Sequence, residues 1–248
     1  MASPAELHSL FAPLNGGRVL DVATGSGDFV RFLAENLPGC THFIGIDIRA
    51  ENISAARQSF TSDPLPGTLS AGFILMDAAD MTFPDSSFDT VAVSHSLHHL
   101  PDPDKCLAEM YRVLVPEGLF VVREAFADNQ NEAQTTYVLL HSLWAEIHTR
   151  QGISHRPTYL RWQILNIVGR LGLQQTEVVE LSDPDADPKD ENALRALTER
   201  HNQILEGIRH HPDYAFLKAE GEKLLERART VGCLRPTELL IIGKKKPA

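Results

Sequence analysis

The residue types most able to do chemistry lie in the first half of the chain. Asp21-Val-Ala-Thr-Gly25-Ser-Gly27-Asp28 follows the short apolar run Arg18–Val22 and opens a helical stretch at Phe29. Its glycines permit positive φ and let a ligand approach the backbone closely. Asp47 ends a second apolar run, 22 residues after Gly25. Asp77 and Glu124 follow a third and a fifth. Four acids in order at the ends of short apolar runs are more than turn or cap residues require.

The ligand of the glycine turn can be narrowed by charge. A diphosphate needs an uncompensated helix N-terminus, and here Asp28 and Asp21 put anions there. A dinucleotide turn also wants Gly or Ala three residues after Gly27, where Val30 stands, and no Gly-Lys-Ser/Thr follows as in a P-loop. Asp47 is placed to accept hydrogen bonds from ribose hydroxyls. A cationic, ribose-bearing ligand without phosphate meets these demands, and S-adenosylmethionine is such a molecule.

Several stretches carry a resemblance. These are Val19-Leu-Asp-Val-Ala-Thr-Gly-Ser-Gly-Asp28, Ile44-Gly-Ile-Asp47, Asp77-Ala78 with Phe83-Pro-Asp-Ser-Ser-Phe-Asp89, Leu97-His-His-Leu-Pro-Asp102 and Met110-Tyr-Arg-Val-Leu-Val-Pro-Glu-Gly118. Over about residues 15–125 the chain resembles class I S-adenosylmethionine-dependent methyltransferases of the small-molecule type. The resemblance implies a Rossmann-like fold, S-adenosylmethionine as methyl donor and S-adenosylhomocysteine as product. It implies that Asp21, Ala23 and the Gly25-Ser26-Gly27 backbone hold the methionine part. Asp47 then takes the ribose hydroxyls, Ile48 packs on adenine, Asp77 accepts from the adenine amino group and the Ala78 N–H faces the ring. Ser94 and His95 lie near the methionine part and the methyl. Ala23 replaces the family's first turn glycine, and Glu117 stands where Gly is common. The glycine turn and the Phe-Pro-Asp stretch are also similar to the quinone-methylating branch. Ser94-His-Ser-Leu-His-His99 departs from that branch, so its substrate is not carried over.

Methyl transfer is an in-line displacement, and a base is needed only where the nucleophile arrives protonated. His95, at the end of the fourth run, is the best-placed base, and Glu124 is positioned to orient an acceptor. Of His98 and His99, one is expected to face the cofactor cleft and the other to pack locally, and His99 is assigned to the cleft. His141, Trp144 and His148 fall on one helical stripe, with His155, Arg156 and Tyr159 beyond a glycine-containing bend. As a lid they would bind a partly apolar acceptor bearing an anionic or hydrogen-bonding group; the alternative is core packing for Trp144. No metal is expected, because residues seven apart lie about 10 Å apart along a helix axis, too far for shared ligation.

The elements that must position these groups alternate in period. Short β-branched runs separated by helical stretches predict an α/β fold, a doubly wound, mostly parallel seven-stranded sheet. The strands are expected near 18–22, 42–47, 72–77, 88–94, 118–124, 176–181 and 238–242. The chain reads as a single domain, residues 1–248, with helical insertions at about 126–156, forming the lid, and about 183–235. The second insertion is an amphipathic pair whose apolar face can pack on the core, cover the substrate or form a homodimer interface.

Composition sets the outer limits. The 248 residues carry 23 Lys+Arg against 33 Asp+Glu, net −10. The only basic run is Lys244–Lys246, so nucleic acid and anionic membrane surfaces are not expected partners. No stretch approaches the roughly 20 apolar residues of a membrane helix. The apolar N-terminus has no leading Lys or Arg, and the three cysteines are isolated, which predicts a cytoplasmic protein. Two other functions fit the same cofactor motifs. One is an enzyme of another reaction class transferring a modified sulfonium substituent, and the other a non-catalytic module sensing the donor or its product.

Overall fold

The structure is a computed structural model that describes residues 4–247. Seven strands form one sheet in the order β3-β2-β1-β4-β5-β7-β6. They are β1 (Gly17–Val22), β2 (Cys40–Asp47), β3 (Ser70–Leu75), β4 (Phe88–Ser94), β5 (Leu114–Ala125), β6 (Gln174–Leu181) and β7 (Glu238–Lys244). The helices are α1 (Pro4–Phe11), α2 (Asp28–Asn36), α3 (Ala50–Ser62), α4 (Pro103–Val113), α5 (Glu132–Arg150), α6 (Arg161–Gly169), α7 (Glu191–Glu206) and α8 (Tyr214–Thr230). The strands from β1 to β5 pair in parallel, and β7 runs antiparallel to both β5 and β6. This is the α/β, mostly parallel architecture that the alternating periods predict.

The central strands are nearly continuous apolar runs because both faces are covered. One face holds Leu20, Val22, Val91, Val93 and Phe120 against Leu107 and Met110 of α4. The other holds Val19, Phe43, Ala92 and Val121 against Val30 and Leu33 of α2. Alternate residues of a strand thus serve alternate layers. The sheet order reverses between β1 and β4, and ligands of such sheets lie outside the carboxyl ends of the strands at that point.

Four details differ from expectation. Helix α1 was not anticipated, and it buries Phe11 completely beneath the sheet's second face. Strand β5 begins at Leu114, ahead of the turn at Val115–Gly118, where Glu117 sits at φ 62°. Helix α6 begins at Arg161 instead of Thr158, because Leu160 is extended and acts as its N-cap residue. Asp77 lies two residues past the end of β3, in a turn.

Helices α5, α7 and α8 pack on one another over the carboxyl end of the sheet. Leu143 and Ile147 of α5 meet Leu205 and Ile208 from α7 and its end, and Leu217 of α8. Leu140 and Trp144 meet Leu225 beside them. Among the described residues, no helix is long and apolar enough to cross a membrane.

Candidate active site

A cavity of about 390 Å³ opens between the carboxyl ends of β1 and β4 and the α5–α8 helices. Asp21, on β1, lies at its floor and is almost wholly buried. Its Oδ2 accepts from the Thr24 hydroxyl at 2.6 Å. Its Oδ1 has no hydrogen-bond partner, the only such buried side-chain N or O among the described residues. Burial and the nearby carboxylates of Asp47 and Asp28 push its pKa up to about 7, against the Thr24 bond. An unpartnered buried carboxylate oxygen facing a cavity is a place for a cationic donor.

The turn above it is shaped by positive φ. Ala23, Gly25 and Gly27 have φ of 55°, 56° and 87°. A Cβ on Gly27 would fall 2.5 Å from the Phe60 ring, so Gly27 answers to packing as well as backbone shape. Ala23 holds the left-handed conformation with a Cβ, a strain of roughly 1–2 kcal/mol. Ala23, Gly25, Ser26 and Asp28 line the cavity. The Ser26 hydroxyl donates to Asp28 at 2.9 Å.

Asp47 fixes this turn to β2. Its Oδ2 accepts from the Gly25 N–H and the Asn52 amide, both at 3.0 Å, and its Oδ1 accepts from the Arg49 N–H at 2.9 Å. Next to it Ile48 is 66% exposed, a large apolar side chain with no cover. Leu75, whose Cα pairs with that of Asp47 across β2–β3, is similarly bare. Asp77 is exposed and accepts from the Ala79 N–H, while the Ala78 methyl is in the core. Asp47, Ile48, Asp77 and Ala78 do not line this cavity; they form the rim of the sheet beyond it.

The opposite wall comes from β4, β5 and β7. Ser94 ends β4, and His95 follows in the left-handed region at φ 49°. Its N–H donates to the Arg123 carbonyl at 2.8 Å. That turn presents the ring to the cavity, with Nε2 3.1 Å from Glu238. Glu238 also takes Arg123 Nε at 2.6 Å. Burial opposes its ionisation, but His95 and Arg123 overcome this and hold its carboxyl below the ordinary glutamate range. Glu238 opens β7, and only the antiparallel direction of that strand brings it to the rim.

Glu124 departs from its expected place. It is completely buried behind the wall and does not line the cavity. Its Oε2 accepts from the Leu97 N–H at 2.8 Å and its Oε1 meets His98 Nδ1 at 2.9 Å. Despite burial, these contacts hold its carboxyl below the ordinary range. Fully buried and outside the cavity lining, it positions His98 and does not reach an acceptor. His98 is buried and His99 exposed, and both line the cavity.

The roof contains Tyr137 and His141 of α5, Arg200 of α7, Thr158, and Arg235 before β7. His141 Nδ1 meets the Thr158 hydroxyl at 3.0 Å, and its Nε2 meets His155 Nε2 at 3.1 Å. His155 Nδ1 lies 2.6 Å from His148 Nδ1. Burial, with the neighbouring histidines, pushes the pKa of His141 down to about 3 and that of His155 to about 2. Three expectations for this region are corrected. Trp144 is fully buried, donates from Nε1 to His201 Nδ1 at 3.2 Å and packs with Leu140 and Leu225, so it is core. The Arg156 guanidinium donates to the carbonyls of Leu100 and Pro101 and does not line the cavity. Tyr159 packs against the central core and does not reach the cavity.

The expectation of no metal rested on spacing along a single helix, and that spacing does not describe His155. Helix α5 stops at Arg150, Gly152 turns at φ 75°, and the chain brings His155 back against His141. His98, His141 and His155 thereby offer ligand nitrogens within 4.8 Å of one another. Sequence reasoning missed Tyr137, Thr158, Arg200, Arg235 and Glu238. Tyr137 was within reach, being four residues before His141 on the same helical face. The two arginines gave no local signal.

Comparison with known proteins accords with this geometry. The sequence model of the family described as methyltransferase domain matches residues 20–122. A ubiquinone/menaquinone biosynthesis C-methyltransferase of Geobacter sulfurreducens is 34% identical over 109 residues, 44% of this chain and 42% of that protein. A demethylmenaquinone methyltransferase of Thermus thermophilus is 36% identical over 107 residues, 43% of this chain and 46% of that protein. The chain thus spans less than half the length of these curated relatives. A Bacillus halodurans structure assigned as a methyltransferase superposes with a TM-score of 0.61 at 20% identity, covering 98% of both chains. At that identity the likeness concerns the fold.

Proposed function

We propose that residues 20–122, which match the family described as methyltransferase domain, form a class I methyltransferase domain, and that the protein transfers a methyl group from S-adenosylmethionine to a small-molecule acceptor. The observation that carries this reading is Asp21 Oδ1, buried, unpartnered and facing a cavity at the switch point of the sheet. The donor's α-ammonium group would complete it, and the acid-flanked turn disfavours a diphosphate there. Asp47 would take the ribose hydroxyls, with Asn52 and the Gly25 N–H holding its carboxylate in place. The bare Ile48 side chain offers a face for adenine, and Asp77 and Ala78 stand at the same rim.

When bound, S-adenosylmethionine supplies an electrophilic methyl on a sulfonium. The chain's own groups position the acceptor and exclude water. Glu238 holds the His95 ring by one nitrogen, leaving the other to take a proton from an acceptor that arrives protonated. In this reading the chain is a single methyltransferase domain, and α5, α7 and α8 are its roof over the acceptor. Tyr137, Arg200 and Arg235 suit a compact acceptor with an aromatic or enolic part and an anionic group. The two curated relatives are named for quinone substrates, which makes a quinol the first acceptor to try. The family match ends at residue 122, before the roof begins, so the acceptor is chosen by residues outside it.

The test is calorimetry with S-adenosylhomocysteine, followed by transfer of labelled methyl from S-adenosylmethionine to a panel of quinols and phenolic acids. Asp47→Ala should weaken S-adenosylhomocysteine binding by about 1–3 kcal/mol, as loss of charge-assisted hydrogen bonds. Failure of the intact protein to bind the product at all would remove the reading.

A further inference from the structure

The histidine cluster between roof and floor is not required by methyl transfer. We propose that His98, His141 and His155 form a binding site for a borderline-soft divalent cation of the zinc class. All three are buried, and their ligand nitrogens lie within 4.8 Å of one another.

The outward contacts of the rings decide which nitrogens face inward. His98 Nδ1 is held by the Glu124 carboxylate, His141 Nδ1 by the Thr158 hydroxyl, and His155 Nδ1 by His148. Each ring therefore has its Nδ1 engaged by an outer partner and its Nε2 left for the centre. Metal-bound histidines show this pattern, in which a second acceptor fixes the tautomer and the ring orientation. A buried carboxylate behind one of the rings is a common form of it, and Glu124 has no other role toward the cavity. The Nε2 atoms of His141 and His155 are 3.1 Å apart. Two nitrogens bound at 2.0–2.1 Å to a tetrahedral ion stand about 3.3 Å apart. The spacing already approaches that of a ligand pair.

The donor set also selects the ion. Three neutral imidazoles suit zinc, copper, cobalt or nickel, whereas magnesium and calcium require oxygen. Three protein ligands leave a fourth position open. His98 and His141 line the cavity, so that position is reached from the acceptor side. His98 belongs to the turn after β4, and His141 and His155 to the roof, so a bound ion would clip one to the other. Only the identity of that side as the acceptor's rests on the proposed methyl transfer. The metal site itself does not.

The full chain, freed of metal with a chelator, is titrated with Zn²⁺ against a chromophoric chelator and with Co²⁺ by absorption. The expected result is one equivalent bound, strong visible bands of four-coordinate cobalt that shift when azide is added, and a raised Tm with zinc. His141→Ala and His155→Ala should each lower the affinity about 100-fold or more. Thr158→Val, which removes only an outer partner, should lower it about 10-fold. Circular dichroism checks that each variant folds, and His155→Gln replaces any that does not. No stoichiometric uptake would overturn the site and leave a chain of hydrogen-bonded histidines. Equal affinity in His141→Ala would overturn it too, by placing the metal elsewhere. Product binding measured by calorimetry on the same samples separates failure of the metal site from failure of the donor site.

Discussion

Asp21 shows how one side chain joins stability to binding. Its pKa is raised from 3.8 to about 7 because the fold buries it beside Asp47 and Asp28. The folded state therefore keeps a proton that the unfolded chain has lost. Stability from this group is intact below about pH 4, declines as pH rises toward 7, and changes little beyond. An ammonium ligand reverses the preference, since it favours the carboxylate. Affinity for S-adenosylhomocysteine should accordingly rise between about pH 5.5 and about pH 7. Asp21→Asn should abolish that rise, weaken binding about 10-fold or more, and raise the Tm at pH 8 by roughly 2–4 °C for each kcal/mol relieved. Calorimetry across pH and thermal melts check both halves. A pH-independent affinity in the wild type would detach Asp21 from the ligand's amino group.

Among the elements, β7 has the most consequence for the site. Its antiparallel direction brings Glu238, its first residue, to the same rim as the ends of β4 and β5. There Glu238 binds both His95 and Arg123. Glu238→Gln keeps the shape but removes the charge that holds the ring. Turnover with an identified acceptor should fall about 10- to 100-fold, within the range of general acid–base effects, while product affinity stays unchanged. Equal turnover would show that the His95–Glu238 pair has no part in the reaction. Helix α5 illustrates the opposite case, an element whose pattern left its cover undecided. The stripe of His141, Trp144 and His148 was visible as a periodicity, yet Trp144 is drawn into the core by Leu140 and Leu225. A stripe predicts that its residues share a face, and says nothing of what covers that face.

At the scale of the molecule, the proposed reading gives the donor side to the sheet and the acceptor side to the roof. The roof is held by its own cluster, with Leu217 of α8 completely buried against Leu143, Ile147, Leu205 and Ile208. Leu217→Ala should destabilise the roof by about 2–5 kcal/mol through the cavity it leaves. It touches nothing in the donor site, so product affinity should stay within about twofold. The acceptor's KM should rise, because Tyr137, His141 and Arg200 would lose their common support. A parallel loss of product affinity would mean that sheet and roof do not act separately. Glu117→Gly is a quieter case, relieving a residue at φ 62° far from the cavity.

The strands, the helices after α1 and the place of the acids near the strand ends were readable in advance because they depend on near neighbours along the chain. Period-2 and period-3.6 patterns mark elements, and Asp21, Asp47 and the glycines sit where a strand must end and a helix begin. Ser94 and His95 follow from the same logic at the end of β4. The acceptor side was not readable in this way. Glu124 had the right position along β5, but the fold buried it and bound it to Leu97 and His98. Arg156 had the right charge, but two carbonyls claimed it. Arg200, Arg235 and Glu238 reach the cavity from distant segments, and His155 returns to His141 only through the bend at Gly152. Such meetings depend on how helices pack and on the direction of an edge-side strand, which are set by contacts remote in the chain. Local chemistry can name the groups available. Packing across long loops chooses which of them face one another.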